Sequence, residues 1–152
     1  MMLGVGKAVI TPPLGTPLAG FSHRKNQGAT EVLDDLEVRA FWLQDENGAV
    51  AVVTADIIGF GPSLTSQLRL EVQKLFGLPP EWLMLAASHT HSGPQTCENM
   101  VGTGDFIPEV VEMVGHRILE AINEARQNTR PAEVASGRGL CEGYSINRRL
   151  YC

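Results

Sequence analysis

Apolar positions along the chain fall into blocks of two kinds, short runs rich in β-branched residues and longer stretches with a helical stripe. Residues 3 to 10, LGVGKAVI, meet TPPLGTP and so predict a first strand closed by a proline and glycine loop. Residues 11 to 34 then run polar and glycine-bearing without periodicity, a length that marks a functional or disordered segment inside a compact domain. Next, LEVRAFWLQ and AVAVVTADII flank DENG, where Asn47-Gly48 suits the positive φ angles of a tight turn. Residues 36 to 57 therefore predict a β-hairpin. Its second arm, Ala49 to Thr54, is nearly all apolar and predicts an interior strand covered on both faces.

After GFGP the period changes. Leu64, Leu68, Val72, Leu75 and Phe76 share one stripe of a helix from about Pro62 to Phe76, with Pro62 in the first turn and Gly77 and Pro79-Pro80 as stops. WLMLAAS is then a short buried strand. Strand, helix and strand from residue 49 to 88 form a βαβ unit, whose two strands should lie parallel. That arrangement puts Asp56 and His89 at the same carboxyl edge of the sheet, where open α/β sheets bind ligands. A glycine-rich loop, residues 92 to 106, leads to a second helix from Pro108 to about Asn128. Its stripe is Val110, Val114, Ile118, Ala121, Ile122 and Ala125, and Arg130-Pro131 breaks it. AEVASGRG, residues 132 to 139, predicts one more strand. The expected fold is an α/β domain, a mixed and largely buried sheet flanked by helices, containing the hairpin and the βαβ unit.

Composition removes several classes of function. With 152 residues, 43% of them hydrophobic, the chain can bury the core of one domain. Net charge is -5, and the basic residues are scattered apart from Arg148-Arg149, so there is no basic patch for a nucleic acid. No run approaches the roughly 20 apolar residues of a membrane span, so no transmembrane segment is expected. MMLGVGKAVITPP has neither a cationic start nor an unbroken apolar stretch, which as it stands predicts a cytoplasmic protein. Cys97, Cys141 and Cys152 contain no CxxC pair and read as reduced thiols.

The chemistry gathers at SHTHSGP. In an extended segment residues i and i+2 point to one side, so His89 and His91 would present two imidazoles together at the sheet edge. Zinc takes neutral imidazole nitrogens and keeps an open position for water in catalytic sites, usually with three protein ligands. The plainer alternative is a pair of loop histidines bonded to backbone. Asp56 ends a strand of apolar residues and should have a partner. It could orient a metal-binding imidazole or ligate a metal, or it could cap the GFGPS backbone, and both readings stand. His116 lies opposite the apolar stripe, aligned with Glu112 and Glu120, which places it on a solvated face. His23 lies in the early loop, where exposure is the default and a substrate contact the lesser reading, and Cys97, six residues after His91, could be a soft ligand but reads rather as a small buried or half-buried thiol. Ser88 or Ser92 beside a histidine could be a nucleophile, but no GxSxG elbow is present.

SHTHSGP resembles the THTHSGPGG signature of the neutral and alkaline, non-lysosomal ceramidases, zinc amidases that cleave N-acylsphingosines into sphingoid base and fatty acid. VGKAVITPPLGTPLAGFS is similar to that family's first strand and its glycine-aromatic turn, here Gly20-Phe21. DDLEVRAFWLQDENGAVAVVTADI is similar to its next two strands, and GYSINRR to its NRS segment, so the resemblance runs along the chain. It implies a Zn2+ ligand at His89. It also implies that His91 acts as a catalytic and substrate-binding residue that meets the scissile carbonyl, that Arg148 binds the polar part of the substrate and that the Gly20 turn lines the pocket. By the same resemblance, zinc-bound water attacks the amide of a small-molecule or lipid substrate.

The family completes its zinc site with a second histidine, a glutamate and a tyrosine far downstream, so the resemblance makes residues 1 to 152 the N-terminal portion of a truncated catalytic domain. Family members include secreted enzymes. Gln95-Thr96 replaces the double glycine of the signature. A hydrolase of a different small amide or ester, or a non-catalytic domain, are the alternative readings.

Overall fold

A computed structural model describes residues 1–144 and 149. Its elements are β1 (Met2–Val9), β2 (Glu37–Asp45), β3 (Gly48–Ala55), α1 (Pro62–Phe76), β4 (Leu83–Ala87), α2 (Pro108–Gln127) and β5 (Arg130–Pro131). The five strands form one mixed sheet in the order β4-β3-β2-β1-β5. β3 and β4 are parallel, and the remaining pairs are antiparallel. The predicted hairpin, both helices and the parallel βαβ unit are all present.

Three local expectations are corrected. The strand after α2 is only Arg130–Pro131, paired with Met2 and Leu3, and residues 132–139 form no strand. Ala132 to Gly139 offers a sheet little to bury, since Val134 is its one large apolar side chain and is 66% exposed. At the hairpin, Asp45 pairs with Gly48, so Glu46 and Asn47 are the two turn residues. Of Asn47 and Gly48 only the glycine has positive φ, at 147°, and Asn47 N–H instead donates to Asp45 Oδ1 at 2.8 Å. Finally, β3 is covered on one face. Ala51, Val53 and Ala55 are buried, while Val50 and Thr54 on the opposite face are exposed.

That one-sidedness follows from where the helices pack. α2 lies against β1 and β2, and the strand composition allows a close approach. A Cβ on Gly4 or Gly6 would overlap the α2 backbone at Ala125 or Ala121, so glycine on the strand and alanine on the helix let backbone meet backbone. α1 packs beside α2 and joins the same core through Leu64, Leu68 and Val72. Phe76, at its end, meets Trp42 of β2 edge-on at 6.5 Å. Ile118 and Ile122 of α2 are fully buried, and each such side chain contributes roughly 1.5–3 kcal/mol by leaving water. On the far face Val5, Val9, Val50 and Met84 are exposed. Ile118→Ala should therefore cost about 2–5 kcal/mol in chemical denaturation, whereas Met84→Ala should stay within roughly 0.5 kcal/mol of the parent. Equal losses would contradict the one-sided core. No helix of the described residues is long and apolar enough to cross a membrane.

Candidate active site at the carboxyl edge of the sheet

The parallel pairing of β3 and β4 brings two turns together. Ala55 pairs with Ala87, and just beyond them Ser88 N–H donates to Ala55 O at 3.0 Å and His89 N–H to Ile57 O at 3.1 Å. The chain leaves β4 at His89 with φ 62°, a left-handed conformation in which histidine is more common than most residues. This backbone turn, and not the alternation of a strand, brings the imidazoles together. Their ring centres are 5.0 Å apart and their Nε2 atoms 3.4 Å apart.

The two rings are held differently. His89 Nδ1 lies 2.7 Å from the carbonyl oxygen of Ile58. A carbonyl only accepts, so Nδ1 carries the hydrogen and Nε2 of the neutral ring carries the lone pair. Beside Ile58, the Gly59 carbonyl accepts from Thr96 Oγ1 at 2.6 Å, so three successive carbonyls, Ile57 to Gly59, are committed to the histidine loop. His91 Nδ1, in contrast, is buried without a hydrogen-bond partner. Its ring sits between the Phe21 ring, 4.5 Å away and edge-on, and Gly20, where a Cβ would overlap Cγ of the imidazole.

Gly20 and Phe21 arrive from the aperiodic segment 11 to 34, which is ordered by backbone bonds. Gly15 N–H donates to Ala29 O and Ala29 N–H to Thr16 O, so the segment doubles back on itself. Ala19 N–H then donates to Gly93 O at 2.9 Å, and Gly20 N–H to Thr103 O at 3.1 Å. Gly20 itself has φ 100°, which favours glycine. Arg24 closes this arrangement by donating from Nη1 to the carbonyls of Ala19 and His91.

Asp56 stands apart from the imidazoles. Its Oδ2 accepts from Glu37 N–H at 3.1 Å, and its own N–H donates to Glu37 O at 2.9 Å, so it ties β3 to the start of β2. The place beside His89 that one of the two readings gave Asp56 is held by Ile58 O, and the backbone that Asp56 bonds is that of Glu37. Arg148 lies outside the described residues. His116 and His23 are exposed, as expected, although Glu120 pairs with Arg117 at 2.7 Å. Cys97 is half-buried, and burial pushes its thiol up from its ordinary value. Among the described residues no serine hydroxyl bonds to either imidazole, and no group of three or more His, Cys, Asp or Glu could hold a metal ion.

Residues that spacing did not single out support this site from beneath. Gln95 is 2% exposed; its Nε2 donates to Thr103 Oγ1 at 2.8 Å and its Oε1 accepts from Cys97 N–H at 3.1 Å. Glu98 Oε1 accepts from Ser63 N–H and Oγ at 2.8 and 2.6 Å, capping α1 from outside because Gly61 has no side chain to do so. These bonds hold its carboxyl below the ordinary value of 4.5. A carboxyl lowered on folding stabilises above its unfolded pKa, and that contribution is lost as pH falls through the folded value. Glu98→Ala should therefore lower Tm at neutral pH, with the gap to the parent closing in acid. A gap that widened in acid would contradict the cap.

A mixed α/β domain with an imidazole pair beyond the ends of its parallel strands holds polar side chains where open α/β sheets bind ligands. The chain belongs to the neutral/alkaline non-lysosomal ceramidase family: the sequence profile of that family's N-terminal region matches residues 1–152. Its fold is similar to the crystal structure of neutral ceramidase from Pseudomonas aeruginosa, with TM-score 0.75 and 23% identity over 86% of this chain. It is also similar to a ceramidase complexed with C2, with TM-score 0.73 and 22% identity over the same share. The chain spans 22% of the length of each of these solved structures.

Proposed function

We propose that the chain carries the His89 and His91 part of a zinc-dependent amidohydrolase site that cleaves an N-acylsphingosine or a related N-acyl lipid. Family membership supports hydrolase chemistry. The observation that carries the finer reading is the histidine pair, with Nε2 atoms 3.4 Å apart and His89 Nδ1 committed to Ile58 O.

The donor chemistry fits one corner of a zinc site, since His89 offers a neutral imidazole whose Nε2, 3.4 Å from His91 Nε2, carries the lone pair that a metal would take. The other ligands would come from outside the N-terminal region of the family that these residues match. Zinc, when bound, supplies Lewis acidity toward a carbonyl oxygen and a lowered pKa for water. His91 turns Nε2 toward the same point. With hydrogen on that nitrogen it donates to the substrate's carbonyl oxygen as negative charge develops there, and it can pass the proton toward the leaving amine. Gly20 leaves room for that ring, and Phe21 is an apolar wall beside it. The departure from the family signature does not reach this surface. Gln95 and Thr96 are buried beneath the loop.

A single histidine ligand and its neighbour make a weak metal site. The purified 152-residue chain should bind zinc weakly and hydrolyse little N-acylsphingosine, measured by equilibrium dialysis and fatty acid release. Enzyme-like turnover by these residues alone would contradict the proposal.

A further inference from the structure

We infer that Arg24 is a positioning residue for His91, an inference that rests on the reading of His91 as the substrate-facing imidazole. His89 is anchored by a hydrogen bond at Nδ1, whereas His91 Nδ1 is buried and unpartnered, so the orientation of the second ring depends on what surrounds it. Arg24 is the residue that joins those surroundings.

Arg24 ends a 3-10 turn, Ser22–Arg24, 67 residues from His91 in sequence. Nη1 donates to the carbonyl oxygen of His91 and, at 3.2 Å, to that of Ala19. The guanidinium carbon also lies 4.9 Å from the centre of the Phe21 ring, and Phe21 meets the His91 imidazole edge-on. The contacts form a closed circuit: Arg24 holds the backbone of His91 and the ring of Phe21, Phe21 holds the imidazole, and Gly20, next to Ala19, bounds its other side. A planar guanidinium can bridge two carbonyls while its face lies on an aromatic ring. A lysine ammonium is a compact point charge that cannot reproduce that combination.

The test uses Arg24→Lys and Arg24→Met with two readouts. In the histidine-labelled 152-residue chain, the parent should show nuclear Overhauser effects between Phe21 and the His91 ring, and both variants should lose them. The His89 Nδ1–H signal should persist in both, which separates loss of the clamp from general unfolding. In the family-length protein the variants should lower kcat by about 10- to 100-fold, the range expected when a reacting group is misplaced by up to roughly 1 Å, with KM little changed. If Arg24→Met does not fold, Arg24→Lys carries both measurements. Intact Phe21 to His91 contacts in Arg24→Lys, or a wild-type kcat in a protein whose parent is active, would overturn the inference. An inactive parent would instead count against the proposed function, and the magnetic resonance result would still decide whether Arg24 positions the ring.

Discussion

Gly20→Ala in the family-length protein should lower kcat/KM by about 100-fold, the scale of loss that a misplacement of roughly 1 Å in a reacting group produces. The added Cβ would overlap Cγ, Nδ1 and Cβ of His91, and none of these is the free end of a flexible side chain. The imidazole must move or the Gly20 turn must open. Opening the turn would strain Ala19 N–H to Gly93 O and Gly20 N–H to Thr103 O, the bonds that dock the early loop on the histidine turn. The backbone adds a second cost, because φ 100° is a conformation that residues with a side chain rarely adopt. Gly15 supplies the control. It also has positive φ, at 88°, but a Cβ there meets nothing within 4 Å, so Gly15→Ala should leave kcat/KM nearly unchanged. Steady-state kinetics on both variants check this, and equal losses would contradict a specific role for the Gly20 to His91 contact.

His89→Ala should weaken zinc binding by more than the about 10- to 100-fold typical of losing a partner that only orients a ligand. The expectation follows from the tautomer. Ile58 O accepts from Nδ1–H and so frees the Nε2 lone pair, and alanine removes that donor outright. His89→Gln is a useful companion, since it restores some side-chain volume without an imidazole nitrogen and should bind zinc as poorly. Competition against a chelator in the family-length protein measures both. His91→Ala should retain most of the zinc affinity and lose hydrolysis, which separates metal holding from substrate facing.

The elements and the site were legible in the sequence to different degrees. Helices α1 and α2 declare themselves through stripes that depend only on local spacing, and the hairpin through two apolar runs around a short turn. The βαβ unit then sufficed to put His89 at the carboxyl edge of the sheet. The coverage of β3 was not legible, because AVAVVT is as apolar on its exposed face as on its buried one. Nor was the clamp around His91. Gly20, Phe21 and Arg24 reach it through an aperiodic loop whose docking bonds are mostly backbone to backbone across more than 60 residues, and such bonds leave no side-chain pattern to read. Spacing points to His89 and His91, yet the geometry that joins them comes from the left-handed backbone of His89, which spacing does not encode. Asp56 shows the complementary limit. A carboxylate at the end of an apolar strand needs a partner, but the sequence could not say that this partner is the Glu37 backbone.

The account is tested most directly by fatty acid release from an N-acylsphingosine by the family-length protein, stripped of metal and then reloaded with zinc, beside the same protein carrying His89→Ala. Release that disappears on stripping, returns with zinc in the parent and stays absent in His89→Ala is the predicted result. Release that survives stripping, or that proceeds at the parent's rate in His89→Ala, would contradict it.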